Sequence, residues 1–471
     1  MLTVIFSFIV PLTREAPLVP CRGKEIKSWT PRRIETGVKI ILIGLDGATW
    51  KAMKNLVEKG SLPNMQKLIK GGVWGPLKSL YPAKSPVIWT TIATGAEPKR
   101  HGVTDFSAFS APGISPIPQK MRWPKWTLCK KLAALGFRTG FTQRRPFSSV
   151  SRRVPAIWNV ASHAGLLVGV LNWWCSWPAE QINGFMVTQR VSYSPGEAIL
   201  GTEGTRPGET HPPELLEAVS RYIIPPEALT AADLEPFLKA DREELDGLIE
   251  NRGSGKKPVN FWFWFTHTLQ SDRSFERIAL KLYQQERPDL FLLYHQGIDV
   301  VEHFFWHLVE PGYFQDVPEE DTGIFEEIIP AYYRYEDEVI GQFMELSDEK
   351  TVFIIVSDHG MDPTGELPKS GDHVRTVPDG VIILSGPGIA GGKRLEASVY
   401  DVAPTILYLM GLPVAEDMPG APLLRAFESD FISRFPVLSI PTFGCRKPEA
   451  AGPSPSDDEL IRRLKDIGYL D

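Results

Sequence analysis

The chain has few cysteines and no motif built on them. Cys21, Cys129, Cys175 and Cys445 show no CxxC pair and no regular spacing, so neither a zinc ribbon nor a disulfide scaffold is indicated. No apolar run reaches the roughly 20 residues that a membrane helix needs. The longest candidate, Met1 to Val10, lacks the positive charge before it and the small residues after it that a secretory signal would carry. It reads as an N-terminal extension. The compartment is left between the cytoplasm and, if that segment does act as a signal, export. There is no basic excess either. A net charge of −6 argues against nucleic acid as a partner, because a phosphate-binding surface needs a positive field. No internal repeat is visible.

What is present is an ordinary globular composition, with 43% hydrophobic and 23% charged residues in a 471-residue chain. Short β-branched runs recur at Val38–Leu45, Leu167–Leu171, Leu290–Tyr294, Val352–Val356 and Gly380–Leu384. Runs this short and this apolar suit strands buried on both faces. Helical patterns lie between them, through Leu68 after the first strand, over 331–346 and over 402–410. That alternation predicts an α/β fold: three layers, α/β/α, around a mostly parallel central sheet. Residues 1–37 read as the extension, 38–430 as one catalytic domain, and 431–471 as a tail ending in a short helix. The stretch from about 205 to 285 is rich in Pro and Glu, and is expected to form a helical insertion or cap. Its aromatic run Phe261–Phe265 and the pair Trp173–Trp174 are read as packing rather than as a pocket.

The chemistry sits in four short segments and one later histidine. Asp46 follows the first strand, and Asp358 with His359 and Gly360 follows a later one. In sheets of this kind ligands collect at the carboxyl ends of the strands. Asp299 and His303 stand one helical turn apart, so they share a face. His373, in a Gly-containing loop, is the candidate for the further ligand that such a pair needs. Ser85 precedes Pro86 at a helix start. It is expected to be the N-cap, with a hydroxyl and several free N–H groups pointing ahead of the helix. Carboxylates and imidazoles converging with a hydroxyl read as a two-metal site with a serine nucleophile, and so as hydrolysis of a phosphate ester. Structural readings compete at each position: helix capping at Asp46 and Ser85, and an aromatic-packed helix face at Asp299 and His303.

Taken together, Gly44–Gly47, Ser85–Gly95 with His101–Gly102, Gly297–Asp299 with His303, Ser357–Met361 and His373 resemble the alkaline phosphatase superfamily. They are most similar to its type I phosphodiesterase/nucleotide pyrophosphatase branch, over roughly residues 38–425. The resemblance implies that Asp46, Ser85, Asp358 and His359 hold one divalent ion, most simply zinc, with manganese compatible. Asp299, His303 and His373 would hold the other. It implies that Ser85 forms a phosphoserine intermediate, and that three aspartates and an ionised Ser85 offset the charge of two divalent ions. The expected partner is a small phosphate ester. Two departures matter: Ser85 stands where many relatives have Thr, and no Asn follows His101–Gly102, which weakens nucleotide-type recognition. A phosphonate hydrolase, a phospho-group transferase or mutase, and a non-catalytic binding relative are the alternatives.

Overall fold

The computed structural model describes residues 33–111, 114–118, 143–193, 208–250, 261–445, 457, 461 and 462. The expected N-terminal extension up to residue 32 and most of the expected C-terminal helix lie outside the described residues. The main sheet has ten strands, here β1 (Lys39–Leu45), β2 (Val73–Lys78), β3 (Val168–Leu171), β4 (Gly184–Val187), β5 (Thr210–His211), β6 (Leu290–His295), β7 (Thr351–Val356), β8 (Gly380–Ser385), β9 (Lys393–Arg394) and β10 (Ala397–Ser398). Their spatial order is β9-β2-β8-β7-β1-β6-β3-β4-β5, with β10 also on β2. β1 runs parallel to both β7 and β6, and β3 runs parallel to β6 and β4. Only β8 and β5 run against their neighbours, so the sheet is mostly parallel, as expected.

The main helices are α1 (Trp50–Glu58), α2 (Pro63–Gly71), α3 (Ser85–Thr94), α4 (Ile157–His163), α5 (Phe261–Glu286), α6 (Gly297–Phe305), α7 (Ile328–Leu346) and α8 (Val399–Leu409). The three layers follow from strand periodicity, because successive side chains point to opposite faces. Ile40 and Leu42 of β1 join one core with Trp89 of α3, Trp158 of α4 and Ile406 of α8. Ile41 and Ile43 join the other with Met53 of α1, Phe265 of α5, Val301 of α6 and Ile340 of α7. β6 and β7 divide their residues between the two cores in the same way. At about 25 cal/mol per Å² of apolar surface removed from water, two such faces hold the sheet in place.

Local structure adds detail in three places. The helical stretch after β1 is two helices, divided at Gly60 (φ 75°) and Pro63. The region expected as an insertion ends in α5, which packs on β6, α6 and α7. Phe261 in its first turn lies against Phe304, Phe305 and Phe325. Finally, Cys445 is disulfide-bonded, a bond that cysteine spacing could not reveal, whereas Cys175 is a free buried thiol.

Candidate active site

Strand direction assembles the site. β1, β6 and β7 are parallel, so the residues after them, Asp46 and Ser357–His359 among them, emerge at one edge of the sheet. β8 runs the opposite way and therefore begins at that edge. The 357–379 loop consequently stays there and carries His373 back. The Gly360 N–H donates to the Pro378 carbonyl at 2.9 Å and ties the two ends of the loop together. α3 brings Ser85 from one helical layer, and α6 brings Asp299 and His303 from the other.

The seven expected side chains converge. Ser85 Oγ is 3.5 Å from Asp46 Oδ1. His359 Nε2 lies 3.2 Å from Asp46 Oδ1 and 3.4 Å from Asp358 Oδ2. His303 Nε2 and His373 Nε2 approach Asp299 Oδ1 at 3.4 and 3.7 Å. Two sets of ligand atoms are close enough to share an ion: Asp299, His303 and His373, and Asp46, Asp299 and His359. Asp299 belongs to both, whereas the resemblance assigned it to one ion only. The distal ring nitrogens are held, with His303 Nδ1 on the Gly371 carbonyl at 2.8 Å and His359 Nδ1 on the Gly360 carbonyl at 3.0 Å. Such bonds set the tautomer and leave Nε2 to bind.

The electrostatics fit divalent ions. All three aspartates are completely buried. Burial first, then the charge on Asp46, pushes the Asp358 carboxyl well above its usual range. Burial opposes protonation of His359, but the Asp358, Asp46 and Asp299 carboxylates overcome it and lift the ring to about 10. Burial, followed by the charges of His359 and His303, holds His373 well below the ordinary histidine value. Asp358 Oδ2 and His359 Nε2 are buried and make no hydrogen bond among the described residues. Three buried carboxylates that draw a proton onto His359 mark a site that favours positive charge, which a bound cation could supply in place of the proton.

Ser85 is placed differently from expectation. Lys84 is the N-cap and gives no side-chain cap bond, so Ser85 opens the helix. Pro86 has no N–H, and the Val87 N–H is already bonded to the Lys84 carbonyl at 2.9 Å. The helix start therefore offers fewer amides to an anion than the sequence suggested.

Several residues that reasoning from sequence missed complete the surroundings. Tyr294, in β6, donates its hydroxyl to Asp46 Oδ2 and accepts from the Trp174 indole at 2.8 Å. This gives Trp174 a polar task beside its packing. Lys84 and Asp105 form a buried ion pair of 2.5 Å next to Ser85. Gly47 adopts φ 74°, and a Cβ there would stand 2.9 Å from the Asp299 Cα. The signal for Tyr294 is its position one residue before the strand end. The Lys84–Asp105 pairing had no local signal.

The sequence matches the type I phosphodiesterase / nucleotide pyrophosphatase family over residues 40–397, and the chain belongs to that family. A 2,3-bisphosphoglycerate-independent phosphoglycerate mutase of Cereibacter sphaeroides (strain ATCC 17025 / ATH 2.4.3) is 38% identical over 78 residues, which is 16% of this chain and 15% of the mutase. The chain thus matches only a small part of that relative's length. Murine ectonucleotide pyrophosphatase / phosphodiesterase 5 superposes with a TM-score of 0.42 at 11% identity, covering 83% of this chain and 100% of that one. Phosphonoacetate hydrolase from Sinorhizobium meliloti 1021, in complex with phosphonoformate, gives 0.41 at 17% identity, covering 72% and 60%. Superpositions this loose carry no argument about substrate.

Proposed function

We propose that the chain is a two-metal phosphodiesterase that works through a phosphoserine at Ser85. The observation that carries this reading is the position of Ser85 Oγ, 3.5 Å from Asp46 Oδ1, where Asp46 belongs to one of two buried Asp/His groups that share Asp299. Asp46, Asp358, His359 and Ser85 would hold one ion. Asp299, His303 and His373 would hold the other, with Asp299 reaching towards both. Bound there, divalent ions would offset the carboxylates and ease loss of the Ser85 proton.

Ser85 Oγ then attacks phosphorus, and the bond to the leaving alcohol oxygen breaks in line. The alcohol departs after taking up a proton. Water hydrolyses the phosphoserine in a second displacement, which restores the Ser85 hydroxyl. Asp46 orients Ser85, and Tyr294 orients Asp46. The neighbouring Lys84 is matched by Asp105, so the pair adds no net positive charge beside the nucleophile. That favours the single negative charge of a diester over the second charge of a monoester.

The test is hydrolysis of bis-p-nitrophenyl phosphate against p-nitrophenyl phosphate, by zinc-loaded and chelated protein. Chelator-sensitive turnover favouring the diester, and lost in Ser85→Ala, is expected. Turnover that survives chelation, or preference for the monoester, would sink the reading. So would inactivity on both compounds by folded protein holding two ions; a phosphonate hydrolase would then be the next candidate.

A further inference from the structure

A third buried group of this kind, Asp272, His295 and Glu336, is contributed by α5, β6 and α7. The proposed chemistry makes no use of it. Its position relative to α6 is specific. α6 begins directly after β6, and the first N–H groups of any helix have no partner within it. The N-cap, Gln296, supplies no side-chain cap. Gly297 can supply none, and a Cβ there would lie 1.9 Å from the Tyr332 ring.

The cap comes instead from a distant helix. Asp272 Oδ1 accepts the Gln296 N–H at 3.2 Å, and Oδ2 accepts the Gly297 N–H at 2.9 Å. Tyr332 of α7 donates its hydroxyl to the same Oδ2 at 2.9 Å. On the other side of the junction, both carboxylate oxygens of Glu336 take His295 Nδ1, at 3.2 and 3.0 Å. Every member of the cluster is buried. The strand end and the helix start are therefore clamped at consecutive residues, 295, 296 and 297. Asp299 is two residues further along, and His303 is one turn beyond it.

We infer that Asp272 is a positioning residue for the ion held by Asp299, His303 and His373: it caps α6 from outside and so fixes the turn from which Asp299 and His303 project. The inference rests on the two-metal reading above. A carboxylate at a helix N-terminus favours the helix through its hydrogen bonds and through the helix dipole. Both oxygens of Asp272 are accepting, so an amide in its place would set an NH₂ against a backbone N–H and loosen the first turn of α6. His295 and Glu336 keep β6 from shifting while α6 is held.

The experiment is calorimetric zinc titration of the full metal-free chain, with zinc counted by elemental analysis, for wild type, Asp272→Asn and His303→Gln. Wild type is expected to bind two ions. Asp272→Asn should weaken one step most, about 10–100-fold, the usual effect of losing a group that holds metal ligands in place. The most weakened step should be the one that His303→Gln abolishes, and the other step, which shares only Asp299 with it, should weaken less. A merely structural role would weaken both steps alike, and that result would overturn the inference. Two unchanged steps would also overturn it, while leaving the two-metal reading intact. Fewer than two ions on folded wild type would overturn both. A third ion lost with Asp272→Asn would make Asp272 a ligand instead of a positioning residue. Should Asp272→Asn not fold, Tyr332→Phe removes one donor to Asp272 and should weaken the same step a few-fold; an unchanged step there would overturn the inference equally.

Discussion

His359 and His373 stack ring on ring, with centroids 3.6 Å apart and planes 9° from parallel, although one follows a strand and the other returns on a loop. Their Nε2 atoms face the same oxygen, Asp299 Oδ1, at 3.9 and 3.7 Å. Asp299 is thus the carboxylate on which the two ligand groups meet. Asp299→Asn should cost the protein both ions, whereas His303→Gln should cost one. Metal content after gel filtration distinguishes these outcomes, and equal loss in the two variants would contradict the shared role.

Ser85→Ala should lower turnover by at least about 10³-fold, as expected when a nucleophile is removed and binding is left in place. Metal content should change little, because the histidines and aspartates remain. Ser85→Thr, which keeps a hydroxyl, should retain measurable activity. Trapping a phosphorylated Ser85 peptide by acid quench checks the same step directly.

Tyr294→Phe removes the hydroxyl that links the Trp174 indole to Asp46. The indole N–H and one carboxylate oxygen then lose a partner in a buried site. A stability loss of about 1–3 kcal/mol is expected, together with about 10-fold weaker binding of the ion nearest Asp46. Urea unfolding of the metal-free protein separates the first effect from the second.

Gly47→Ala should be damaging despite the small change. It forces a side chain into a left-handed backbone, at a cost of about 1–3 kcal/mol, and drives the new methyl against the Asp299 backbone. Activity should fall further than stability, since the displaced residue is the shared carboxylate. Thermal unfolding compared with kcat at fixed zinc makes the comparison.

His101 supplies a pH dependence away from the metal ligands. It is buried, bonded through Nε2 to the Thr91 hydroxyl at 3.1 Å, and receives the Val103 N–H on Nδ1 at 3.2 Å. Burial, with a smaller contribution from the charge of Arg152, lowers it to about 3 from an ordinary value of 6.5. Between those two values the unfolded chain carries a proton that the folded chain does not, so stability rises with pH. The contribution is complete above about pH 6.5 and falls by about 1.4 kcal/mol for each unit below it. Urea titrations at pH 4.5, 5.5 and 6.5 should give a shallower slope for His101→Gln than for wild type, and parallel slopes would rule the effect out.

The candidate ligands could be picked out because several of them sit beside a local signal. Asp46 and Asp358 end apolar strands, and Asp299 and His303 are spaced by one turn. The supporting residues were hidden for a physical reason: their partners are remote in sequence. Asp272 reaches residues 296 and 297 from another helix, and Lys84 meets Asp105 across a loop. Ser85 was misread as an N-cap because serine preference and Pro86 fit that role equally well. In the structure Lys84 is the N-cap and Ser85 the first helical residue.

By itself the sequence determined the alternation of strands and helices, the strand faces and the chemical types of the ligands, since these depend on periodicity and side-chain chemistry within short windows. Only the tertiary structure decided that α3 and α6 lie on opposite faces of the sheet and that β8 runs against β7. It is strand direction, a long-range property, that delivers Ser85, Asp299 and His373 to one edge and makes Asp299 common to both ligand groups.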